Sequence, residues 1–156
     1  MVAPADYKPD KIFTVEEANA RLPLVRAIVA DIMKLSSDLF DRRERLNQLQ
    51  SRRPEGTVNV YQEELAQIEE ELERDVERLN AYVEELLELG VEPKGVRDGL
   101  VDFPAILDDK LVYLCWKFDE PEVLHWHDLD AGFEGRQSLT AGSVAEGADS
   151  EDAFDV

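Results

Sequence analysis

The spacing of apolar residues changes at Gly90, and that change restricts the fold more than any other feature of the chain. Upstream, apolar side chains return every three or four positions, at Val15, Ala18, Leu22, Val25, Val29 and Ile32, then at Leu35, Leu39, Leu46 and Leu49. Such spacing lines one side of a helix. A second stripe follows at Leu65, Ile68, Leu72, Val76, Leu79, Val83 and Leu86. Downstream the period falls to two, which is that of a strand. The expected class is α+β: a long antiparallel helical hairpin with a small antiparallel β-sheet and a C-terminal polar loop.

Local signals set the boundaries. Thr14 is placed to cap the first helix, with Glu17 three residues later to bond back to it. Pro23 is expected to kink the first turns. Pro54 and Gly56 punctuate the segment Ser51–Thr57, and a second helix runs from about Tyr61 to Leu89. Gly90 suits the left-handed residue that ends a helix, and Pro93 prevents its resumption. A lone hairpin covers one side of each stripe, so a homodimer forming a four-helix bundle is expected.

Beyond Gly90, Gly99–Leu107 and Lys110–Phe118 read as two strands around an Asp108-Asp109 turn. A two-residue turn sets Val101 opposite Trp116, Phe103 opposite Leu114 and Ala105 opposite Val112, all on one face. The other face then pairs Asp102 with Cys115 and Pro104 with Tyr113. Pro104 lacks a backbone donor, so its strand is expected at an edge. Glu122–His127 is a candidate third strand. Residues 1–12 read as a flexible lead-in, 13–139 as a single domain and 140–156 as a disordered acidic tail.

Composition removes several classes of function. Thirty-six Asp and Glu stand against 17 Lys and Arg, a formal net charge of −19. Nucleic acid and anionic lipid both call for a cationic surface, so neither is an expected partner. The acidity fits a salt-rich cytoplasm or a need for solubility equally well. The lone cysteine, Cys115, excludes an intramolecular disulfide framework. No apolar run approaches membrane-spanning length, and the first residues lack a signal-peptide core, so a cytoplasmic protein is expected.

The densest chemistry lies between Glu122 and Arg136. Both histidines, His125 and His127, fall here at i, i+2, which on a strand points them to one side about 6–7 Å apart. With Asp128, Asp130 and Glu122 they form an N/O set suited to Zn, Fe or Mn. The competing reading is a half-buried histidine that pairs with a carboxylate and braces the loop. Arg136 could clamp a carboxylate or phosphate, or close an internal pair with Asp130. Asp102 opposite Cys115 would raise the thiol's pKa, so a buried or metal-adjacent cysteine is favoured over a nucleophile. The runs Glu69-Glu70-Glu71 and Glu84-Glu85 read as solvated helix faces, since the Glu-X-X-His pattern of di-iron bundles is absent.

Phe13-Thr-Val-Glu-Glu-Ala-Asn19, Leu22-Pro-Leu24, Gly99-Leu-Val-Asp-Phe-Pro104, Leu114-Cys-Trp116 and Trp126-His-Asp-Leu-Asp-Ala-Gly-Phe-Glu-Gly-Arg-Gln137 carry a resemblance. Across most of residues 12–139 the chain resembles an uncharacterised bacterial and archaeal family, the domain of unknown function numbered 2203. The resemblance implies two helices with a β-rich end and supplies no activity. Its pattern matches at His127, Asp130 and Arg136, while position 125 is usually not histidine. It therefore shifts the candidate ligand set towards His127 with Asp102, Glu122 and Asp130. The leading expectation is a metal-binding protein with a possible divalent cofactor (Zn, Fe or Mn). Its rivals are a dimeric interaction module for a protein partner, braced by a His-Asp-Arg network, and a hydrolase with His127 as base.

Overall fold

The computed structural model describes residues 7–51 and 59–139. Two helices, α1 (Val15–Ser51) and α2 (Asn59–Glu88), precede five strands: β1 (Glu92–Gly95), β2 (Leu100–Leu107), β3 (Lys110–Lys117), β4 (His125–Asp128) and β5 (Gln137–Ser138). The Ser51–Thr57 break and the acidic tail lie, from residue 52 and residue 140 respectively, outside the described residues, as do residues 1–6 of the lead-in.

The start of α1 is a capping box. Glu17 N–H donates to Thr14 Oγ1 and Thr14 N–H donates to the Glu17 carboxylate, both at 3.0 Å. Each bond satisfies a donor that the first helical turn leaves unpaired. The helix is not broken at Pro23, which is accommodated in its interior. At the end of α2, Gly90 takes φ +87°. Val91 N–H then reaches the Leu86 carbonyl and Gly90 N–H the Leu87 carbonyl, both at 3.0 Å. This paired closure turns the chain sharply off the helix and into β1.

The helices are antiparallel: Gln50 of α1 bonds Glu69 of α2 at 3.0 Å, and further back along α1 Arg42 pairs with Asp75. Two cores result. Near the sheet, Val25, Val29 and Ile32 of α1 and Leu86 pack with Val101, Phe103, Val112, Leu114 and Trp116. Farther along the hairpin, Leu35, Leu39 and Leu46 meet Leu65 and Leu72. These five are only 5–8% exposed in the single chain, so the hairpin covers that part of its stripes unaided.

All neighbouring strands are antiparallel, in the order β1-β2-β3-β4-β5. The β2–β3 register is the expected one, from Val101 opposite Trp116 to Ala105 opposite Val112. Asp108 and Asp109 both adopt positive φ, 52° and 62°, which matches the turn to the twist of the strands. The strand bearing Pro104 is not an edge strand, because β1 lies beside it. The β1 ladder stops at Asp102, however, two residues before the missing donor would be needed. The third strand is shorter than expected, starting at His125. Val101–Ala105 and Val112–Trp116 are buried at every position, so both faces of the sheet are covered. Among the described residues, no helix is long and apolar enough to cross a membrane.

Candidate functional site

Strand alternation sends Asp102, Cys115 and His127 to the face turned away from the helices. Glu92, Asp102, Cys115 and His125 form one row across β1–β4, and Pro104, Tyr113 and His127 form the next. His127 Nε2 lies 3.1 Å from both carboxylate oxygens of Asp102. Its Nδ1–H donates to the Asp128 carbonyl at 2.7 Å. Donor atoms of Asp102, Cys115 and His127 all fall within 4.8 Å of one another. The three residues are 2%, 0% and 3% exposed.

Charge is managed pair by pair. Both ring nitrogens of His127 face acceptors, so the ring is held as an imidazolium against the Asp102 carboxylate. Burial pulls the His127 pKa down, but the Asp102 hydrogen bond and charge outweigh it and hold it above the ordinary histidine value. Burial, and then the Asp102 carboxylate, push the Cys115 thiol far up. No ring nitrogen is left to take a proton from Cys115, so the three residues do not form a nucleophile–base–acid relay.

Two further pairs flank the cluster. On one side Glu92 accepts from Tyr113 Oη at 2.9 Å, from Tyr7 Oη, and from Lys94 Nζ at 3.1 Å. Lys94 Nζ sits 4.5 Å from the Tyr113 ring centre, and that ring lies 5.5 Å from the His127 ring. On the other side Arg136 donates to Glu120 and to His125 Nδ1. A ring nitrogen that accepts carries no proton, so His125 is neutral. Burial and the adjacent guanidinium lower its pKa, against an opposing pull from Glu120.

Of the residues singled out in the sequence, Asp102 and His127 meet, with Cys115 beside them. His125 lies in the Cys115 row but turns Nδ1 to Arg136. Glu122 and Asp130 are exposed and lie outside the group, one before β4 and one in the turn after it. Arg136 pairs with Glu120 rather than Asp130. Glu92, Lys94, Tyr7 and Glu120 went unread. For Glu92 and Lys94 the signal is cross-strand register, on a strand that proline and glycine disguise; Tyr7 and Glu120 lie outside the strands and carry no such signal.

Residues 11–139 match the family described as Uncharacterized conserved protein (DUF2203), and the chain belongs to that family. No curated protein and no solved structure matches the chain.

Proposed function

From membership of a family with no assigned activity, we propose that the protein is a metal-binding protein whose ligands are Asp102, Cys115 and His127. The supporting observation is the convergence of a carboxylate, a thiol and an imidazole from three adjacent strands, within 4.8 Å of one another. The Nδ1–H bond to the Asp128 carbonyl is the arrangement that orients a histidine ligating through Nε2. A mixed N, S, O set suits Zn(II) or Fe(II) better than Mn(II), which favours oxygen.

The exchange is electrically even. Without metal the group carries one carboxylate, one imidazolium and one thiol; with metal it carries a carboxylate, a neutral imidazole, a thiolate and a divalent ion. Two protons leave as one ion enters, and the buried net charge stays at zero. Such an enclosed group suits holding an ion rather than presenting it to a substrate, since catalytic sites keep an open position.

Calorimetric titration of Zn(II), Fe(II) and Mn(II) into chelator-stripped protein tests the proposal. Wild type is expected to bind Zn(II) or Fe(II) tighter than about 10 μM, roughly −6.8 kcal/mol. Cys115→Ser and His127→Gln are each expected to lose more than the roughly tenfold to hundredfold that an outer partner is worth. Glu122→Ala and Asp130→Ala should leave binding unchanged, and His125→Ala nearly so. Absence of binding at that level removes the proposal. The second reading then stands: Asp102 and His127 brace an interaction module, as the full engagement of both His127 nitrogens favours.

A further inference from the structure

The polar face of the sheet is buried although both helices lie against the opposite face, so other segments cover it. Two do. Beside His125, the cover is the loop carrying Arg136, held by the pair to Glu120, by β4–β5 pairing and by Leu139 N–H on the Leu124 carbonyl at 2.9 Å. Beside Tyr113, it is the segment Tyr7–Phe13. That segment takes up the side of β2 where the β1 ladder stops, with Phe13 N–H donating to the Pro104 carbonyl at 2.7 Å.

The two ends of this segment are held very differently. Phe13 is 1% exposed and packs edge-on against Phe103, 5.2 Å between ring centres. Tyr7 lies on the surface of the polar face, its ring 6.1 Å from that of Tyr113 and its hydroxyl on Glu92. Lys94 covers the same Tyr113 ring from β1. One end is a pivot set in the core, and the other is a catch made, among the described residues, by the Tyr7 side chain.

We infer that Tyr7–Phe13 is a latch: release of the Tyr7–Glu92 hydrogen bond lifts the segment from Tyr113 and opens the route to Asp102, Cys115 and His127. The inference rests on the proposed metal site for what passes through, but the opening itself can be measured without metal.

Cys115, fully buried behind this face, is the reporter. Reaction of metal-free, natively folded protein with a small aromatic disulfide reads its access to solvent. Tyr7→Phe and Tyr7→Ala are expected to speed that reaction about tenfold or more, the order expected for losing a hydrogen bond to a charged acceptor. Because local opening exposes little surface, the rate in these variants should stay nearly flat at low denaturant, while global stability falls by no more than the lost hydrogen bond. Phe133→Ala, in the other cover, should not change the rate. In metal-loaded protein the same Tyr7 variants should speed chelator-driven loss of Zn(II). An unchanged rate in both Tyr7 variants overturns the latch. So does acceleration that climbs with denaturant as steeply as global unfolding does, or equal acceleration by Phe133→Ala. Faster thiol reaction in a protein that binds no metal upholds the latch and removes the metal reading instead.

Discussion

The two faces of β2 and β3 are made by the same alternation and are equally buried, yet they are held by different physics. On the helix side, Val101, Phe103, Ala105, Val112, Leu114 and Trp116 exclude water over a broad contact, each large side chain contributing about 1.5–3 kcal/mol. Neighbours there can substitute for one another in volume. On the other side the buried Asp102–His127 pair must stay matched, because a buried charge without its partner is costly, and the part-exposed pairs Glu92–Lys94 and Glu120–Arg136 flank it. A buried ion pair gains little over an apolar pair of the same shape. The comparison teaches that the helix side accounts for the fold, while the polar side needs another reason to exist.

Substitutions separate the two. The largest effect is expected from Phe103→Ala, about 4 kcal/mol lost to a cavity in the helix-facing core, read by denaturant unfolding. On the polar face, Asp102→Ala and His127→Ala should each cost about 3 kcal/mol. The double variant should cost clearly less than their sum, because the second change removes the charge that the first had orphaned. Simple additivity would mean that the polar face is held by packing after all.

A smaller effect is expected in pH dependence. The folded pKa of His127 is raised, so its contribution is complete below the unfolded value of about 6.5 and is lost as pH rises through the folded value. The stability difference between wild type and His127→Gln should therefore shrink as pH rises from about 6.5. A difference that grew would reverse the assignment of the imidazolium. The smallest effect concerns the turn that sets both faces at once. Asp109→Gly, at φ 62°, should stabilise by a few tenths to about 1 kcal/mol, since glycine enters that region without strain.

Elements with strong local signals were legible. Thr14 and Glu17, the Gly90 terminus and the whole β2–β3 register follow from nearest-neighbour chemistry and strict alternation. β1 was not legible: Glu92-Pro-Lys-Gly95 has no strand propensity, and pairing with Leu100–Asp102 creates it. The two-residue β5 is likewise a product of its neighbour. The site divides in the same way. Asp102 beside Cys115 could be read from register, whereas Glu122 and Asp130 drew attention by nearness in sequence and lie elsewhere. Glu92 and Lys94 could be found only once β1 was known.

The sheet end of the molecule reaches α1 as far as Phe40, whose ring lies under Arg97. The last eleven residues of α1 continue past that point, roughly 16 Å at 1.5 Å each, packed on α2 through Leu46, Leu65 and Leu72. This portion behaves as a measuring rod. Removing or inserting seven residues in each helix would preserve the seam and leave the sheet untouched. Relatives could therefore differ in reach by about 10 Å per heptad while sharing an identical β end.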